Sequence, residues 1–228
     1  MATPAEVSRI FDCRINSLLR DYSELLLAVH QKKRQASLET MLSEQTVMAL
    51  AVYWESFLHD LMIAHIVRRP KSCLKGYEDR IHKSVADKFP GASRWVAVGF
   101  PDAPTLVQVE RLLDPKGWNI VASSAEQLRE LANRFLDAAD ARKFSLNADD
   151  AAFFDYLIAM RNYLGHRSDG GRKTLLHAVS AITQNSGNAD LYGPAQQVGT
   201  YLKQRTQSGT RVNSIGARVL AIAASLSV

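Results

Sequence analysis

The sequence predicts an all-α protein: a helical bundle in a single domain spanning 1–228, with an irregular insertion near 92–122 and additional C-terminal helices. Apolar residues recur with a 3.6-residue period through most of the chain, and capping boxes stand where the periodic runs begin. No alternating run bounded by turn residues marks a convincing hairpin. A length of 228 residues suits one core and is short for two.

Thr3-Pro4-Ala5-Glu6 predicts a helix start, with Thr at the N-cap, Pro at the first helical position and Glu closing the box. Val7, Ile10, Phe11, Ile15, Leu18, Leu19, Tyr22, Leu25 and Leu26 then form one stripe. After a polar connection at 31–35, a longer helix is expected from about Ser37 to Arg69, where Pro70 ends it. Its middle is apolar nearly all round, the pattern of a central bundle helix. A third helix is expected from Tyr77 to Phe89. The stretch 92–122 holds Pro101, Pro104, Pro115 and Gly117 around one short helical pattern, with a short extended segment at Trp95 to Val98. Ser123-Ser124-Ala125-Glu126 predicts a further capping box and a helix to about Arg142. Asn147 to Asp150 caps the apolar helix that ends in RNYLGH, and Gly165, Gly170 and Gly171 are expected to break the chain after it. Two or three helices fill 173–228, interrupted near Asn185 to Asn188 and Gln207 to Gly209.

The apolar share of 46% and charged share of 22% are ordinary globular values and exclude wholesale disorder. The N-terminus carries acids and arginines where a signal peptide needs an apolar run. The most hydrophobic stretch, Val219 to Val228, is about half the length of a bilayer span, so no membrane attachment is expected. Cys13 and Cys73 stand alone without metal-ligand spacing, which suits a reduced cytoplasmic compartment. The net charge of +5 is uneven: from Arg161 onward eight Lys or Arg face only Asp169 and Asp190. That asymmetry makes the C-terminal portion the expected face for a polyanion; a solvated basic surface is the alternative.

RNYLGH (161–166) puts a permanent cation, an amide and an imidazole within six residues. Arg161 offers a planar fork that fits a phosphate, and His166 belongs to the residue type suited to proton transfer near neutral pH. These groups suffice in principle for cleavage of an RNA backbone. The ribose 2′-OH attacks phosphorus, His moves a proton, and Arg stabilises charge on the phosphoryl oxygens, with no metal and no cofactor. Spacing alone proves little, because Arg172 and His177 share it; with 18 Arg and 6 His, chance supplies about half such a pair. Requiring Asn after Arg lowers that to roughly 0.02. Arg167, Arg172 and Lys173 are candidate phosphate contacts. On an ideal helix, residues five apart point about 140° from each other. Arg161 and His166 therefore meet one ligand only if the helix ends near Gly165 or a second copy completes the site; a symmetric dimer is expected either way.

R-N-x-x-x-H closing a helix resembles the HEPN superfamily, many of whose members are RNases. AVYWESFLHDL (51–61) is similar to the W-E-x-[FY] helix of its RiboL-PSP-HEPN and related groups. The run at 111–135, a short spacer and the R-N-x-x-x-H helix follow the same order, so the resemblance covers roughly 40 to 170. It implies a HEPN-like bundle and a metal-independent endoribonuclease that leaves a 2′,3′-cyclic phosphate. The implied setting is a toxin–antitoxin, phage-defence or RNA-processing system. It implies catalytic Arg161 and His166 with Asn162 orienting them, Glu55 in support of Arg161, RNA as substrate, a homodimer with a composite site, and an antitoxin or other regulatory protein as partner. Toxins of the HepT type carry Tyr two residues after the His; here that position is Ser168.

Plainer readings stand beside these. Arg161 could pair with Asp155 or cap a helix, and His166 could be a satisfied polar group at a helix end. Glu55 and His59, four apart, permit a metal pair but more often serve structure. Tyr53, Trp54 and Phe57 read as core or interface, and Asp149-Asp150 as a cap. A non-catalytic module that binds nucleotide or RNA, or bridges proteins, is the alternative function.

Overall fold

The first helix begins as its local chemistry dictates. Thr3 accepts the Glu6 N–H, and the Glu6 carboxylate accepts from the Thr3 N–H at 2.7 Å, so two orphan donors are satisfied reciprocally. The computed structural model describes residues 3–30, 32–91, 93–114, 122–186, 198–206 and 209–227. Among these, α1 (Pro4–Val29), α2 (Gln35–Arg68), α3 (Lys71–Lys88), α4 (Leu106–Leu113), α5 (Ala125–Phe135), α6 (Ala138–Lys143), α7 (Ala148–His166), α8 (Asp169–Ser186), α9 (Val198–Leu202) and α10 (Arg211–Ser227) make an all-α fold.

The core is organised around α2, against which α1, α4, α7, α9 and α10 all pack. Apolar residues surround α2 on nearly every side, and Val47, Leu50, Trp54, Phe57, Leu61 and Ile66 are buried. An 18-residue window of α2 reaches a mean hydropathy of 1.3, long and apolar enough by composition to cross a bilayer, and 61% of it is buried inside the protein. Four aromatic rings lock three helices together. Phe11 on α1 stacks on Phe57 at 4.3 Å, and Trp54 lies 5.9 Å from Phe11 and 6.1 Å from Phe154 on α7.

Several boundaries depart from expectation. α3 starts at Lys71, six residues early, because Pro70 takes helical angles and serves as the turn between α2 and α3. The expected helix from 123 to Arg142 is two helices: α5 stops at Phe135, and the Asp137 carboxylate accepts from the Ala139 and Asp140 N–H groups to start α6. The cap of α5 is Ser124, whose hydroxyl accepts from the Gln127 N–H, rather than a box closed by Glu126. No strand forms over Trp95–Val98; Ser93–Trp95 is one 3-10 turn and Trp95 is 79% exposed. Pro115, Gly117 and Gly187–Asn188 lie outside the described residues. A small hairpin does form: β1 (Arg205–Thr206) pairs antiparallel with β2 (Gly209–Thr210). It serves as the lead-in to α10, where Asn213 accepts from the Thr210 N–H and Thr210 reaches Tyr22 in the core. Strands of two residues are too short to show alternation, so periodicity does not reveal them.

The C-terminal end of α2 is tied to α6 through buried polar groups. His65 Nδ1 lies 3.2 Å from Asp140 Oδ1, and Arg68, Arg69 and Lys143 surround the same carboxylate at 3.3–3.5 Å. Burial holds the His65 imidazole below its ordinary 6.5, with Asp140 opposing. The unfolded chain thus takes up a proton that the folded chain resists. The stability involved is fully present above pH 6.5 and is lost as pH falls through the lower folded value. The urea midpoint should drop between about pH 7.5 and pH 5.5, and His65→Gln should flatten that drop. Equal pH slopes for the two proteins would remove His65 from this account.

Candidate functional site

The site grows from the way α7 meets α2. The two run antiparallel, and α2 presents Glu44, Met48 and Glu55 at spacings of four and seven, one side of a helix. Opposite them α7 presents Arg167, Gly165 and Arg161 in turn. Arg161 Nη2 donates to Glu55 Oε2 at 3.4 Å, and Arg167 pairs closely with Glu44. Between the two ion pairs, a Cβ on Gly165 would sit 3.6 Å from Met48 Cε. Trp54 explains why Glu55 is in place. Its indole is fixed among Phe11, Phe57 and Phe154, which sets the rotation of α2 and directs the next residue toward α7.

Arg161 is half-buried, its side chain 36% exposed, and Glu55 more so at 12%. Its Nη1 donates to Asn162 Oδ1 at 2.9 Å. A guanidinium has five N–H donors, and among the described residues these two bonds leave three directed elsewhere in a fork that two partners hold still. Arg161 does not pair with Asp155; that carboxylate accepts the Ala125 N–H at 2.7 Å, at the start of α5. Burial pushes the Glu55 carboxyl above its ordinary range, and the Arg161 charge draws it back down.

His166 is exposed on the last turn of α7. The helix ends at His166, as the sequence predicts, but Gly165 is not what breaks it. A glycine's intrinsic cost in a helix is only about 1 kcal/mol, and Gly165 is exposed, where a Cβ would make an ordinary 3.6 Å contact with Met48. The break comes at Arg167, which takes left-handed angles (φ 48°), so an arginine occupies the position a glycine usually fills. Gly170 and Gly171 likewise do not break the chain; both sit in the first turn of α8. Ser168 starts that helix, its hydroxyl accepting the Gly171 N–H at 3.1 Å. A Cβ at Gly171 would approach the Tyr163 Cα at 3.4 Å, so glycine there permits the tight α7–α8 elbow.

Because α7 is continuous from Arg161 to His166, the two side chains leave it on faces about 140° apart. Within one chain the helix does not aim both at one atom. Asn162 sits with Arg161; Arg172 and Lys173 are exposed on the first turns of α8; Arg167 is held by Glu44 and lies over the Tyr163 ring at 5.3 Å. Spacing does not single out His177, or Glu44, which lies 123 residues from its partner; nothing short of the packing of α7 on α2 and α8 reveals them. Asn162, Asp155 and His177 line one groove between α7 and α8. Among the described residues, no group of three or more His, Cys, Asp or Glu could hold a metal ion.

No family model matches this chain, and no curated protein or solved structure does either.

Proposed function

We propose that the protein is a HEPN-type endoribonuclease that cleaves RNA without metal, by attack of a ribose 2′-OH that leaves a 2′,3′-cyclic phosphate. The supporting observation is the held guanidinium: Arg161, fixed by Glu55 and Asn162 with three donors to spare, is a preorganised cradle for phosphoryl oxygens. His166, exposed at the end of the same helix, is the acid–base. The 140° between them calls for a second copy, so the functional unit is a homodimer in which one chain's Arg161 and the other's His166 bracket the scissile phosphate. Arg167, Arg172 and Lys173 extend the basic surface for the strand. Phage defence, toxin–antitoxin control or RNA processing in the cytoplasm is the setting, with an antitoxin-like protein as the regulatory partner. Regulation by modification of a Tyr two residues past the His is not part of this proposal, since Ser168 there caps α8.

The purified protein should cut single-stranded RNA in EDTA and yield 2′,3′-cyclic phosphate ends by product mapping. One observation favours a second reading, a non-catalytic nucleotide- or RNA-binding module: the Glu55 carboxylate partly neutralises Arg161. Binding of RNA at low salt with no cleavage under any condition would select that reading and reject the nuclease.

A further inference from the structure

The groove between α7 and α8, about 290 Å³, mixes polar with apolar groups, with Ser123, Ser124, Asp155, Asn162, Thr174 and His177 among its lining. Asp155 and Asn162 both line it from α7. They are seven residues apart, hence on one side of the helix and about 10.5 Å apart along its axis. That separation is the reach of one nucleotide, from its phosphate to the far edge of its base. Ile158 and Ala178 supply an apolar floor between Asp155 and Asn162, and Thr174 and His177 stand along the α8 wall. The volume sits at the lower end of small-molecule sites, about 300–1,000 Å³, and suits one base with its sugar.

We infer that this groove holds the guanosine of a nucleotide whose phosphate lies at Arg161, with Asp155 receiving the base and Asn162 joining the base site to the phosphate site. The inference rests on reading Arg161 as a phosphate ligand. Asn162 is fixed for the role: its Oδ1 accepts from Arg161, which commits its NH2 to donation. Asp155 is acceptor-only when ionised, and one oxygen already takes the Ala125 N–H, which fixes the carboxylate plane. Among the described residues no other donor reaches this carboxylate. Guanine presents two adjacent donors, N1–H and N2–H, on one edge. Cytosine and adenine set a ring acceptor beside their amino group, which would face the carboxylate charge, and uracil offers a single N–H. Burial of part of the Asp155 carboxyl raises it above its ordinary range, with the Ala125 N–H opposing, while the residue stays open to solvent and to a ligand. The His177 imidazole and the apolar floor provide faces for the base.

The test is calorimetric titration of the full chain with guanosine 3′-monophosphate and uridine 3′-monophosphate, alongside cleavage of G-containing and G-free RNA. The guanosine nucleotide should bind at least about tenfold tighter, the discrimination of one good bidentate base contact. Asp155→Asn, which keeps an acceptor for Ala125, should bring the ratio near one without loss of helical content. His177→Ala, on an exposed side chain, should weaken the guanosine nucleotide more than the uridine one. Equal binding of the two nucleotides, or a ratio unmoved by Asp155→Asn, overturns the inference. Cleavage without guanine preference also overturns it while the nuclease stands. Guanine-selective, Asp155-dependent binding without cleavage supports the groove and rejects the nuclease.

Discussion

Arg161→Ala and His166→Ala, each inactive alone, should regain about a quarter of wild-type RNA cleavage when unfolded together and refolded as a mixture. The expectation follows from the continuity of α7. Because the helix runs through Gly165 to His166, the two side chains diverge by about 140°, and in the proposed nuclease two chains bracket the shared phosphate. In a mixed dimer one composite site then lacks both groups and the other has both. Random assortment makes half of the dimers mixed, each with one of its two sites intact. Separately, each variant should lose about 10²–10⁴ in rate, the usual worth of a positioned acid–base or of one charge-stabilising donor. Neither change touches the core: His166 is exposed and Arg161 only half-buried, so helical content should be unchanged. If both variants remain folded and dimeric by sedimentation and the mixture stays inactive, the composite arrangement is wrong. If His166→Ala alone still cleaves at the wild-type rate, the acid–base assignment is wrong as well.

What the sequence discloses about this fold is what short-range hydrogen bonds and periodicity encode. Thr3 with Glu6 and Asn147 with Asp150 are caps formed within four residues, so they can be read directly. The apolar middle of α2 and the burial of Trp54 and Phe57 follow from pattern in the same way. Gly165 misleads because a glycine's cost in a helix is small, so α7 runs one residue past it to His166. Pro70 reads as a stop, yet the residue that ends one helix also opens the next. At the site, Arg161, Asn162 and His166 are visible as a local motif, and Glu55 through a resemblance. The Glu44–Arg167 pair and the Asp155–Asn162–His177 groove depend on how α7 lies against α2 and α8. By spacing, His177 is no more than the partner of Arg172 in a chance pair. The two are five apart on α8, so the helix sends them to different faces and only His177 enters the groove.

Trp54→Ala should cost about 3–5 kcal/mol of unfolding free energy, the largest loss expected of any single core truncation here. Trp54 is 2% exposed and lies among Phe11, Phe57 and Phe154, so removing it opens a void where α1, α2 and α7 meet. Rings packed edge to face or offset stabilise a core by more than their buried area alone. Trp54→Phe should behave differently. The indole N–H is buried and meets no acceptor among the described residues, so the wild-type protein already bears the cost of an unsatisfied donor. Phenylalanine gives up some volume but removes that donor, and a loss below about 1.5 kcal/mol is expected. Urea unfolding of both variants measures the difference, and a Phe variant as damaged as the Ala variant would show that the indole N–H is satisfied after all. The same pair of variants separates packing from chemistry. Trp54 fixes the rotation of α2 that brings Glu55 to Arg161, so the Ala variant should lose RNA-phosphate affinity even where it remains folded, whereas the Phe variant should keep it. Equal affinity in both folded variants would mean that Glu55 finds Arg161 without the aromatic lock.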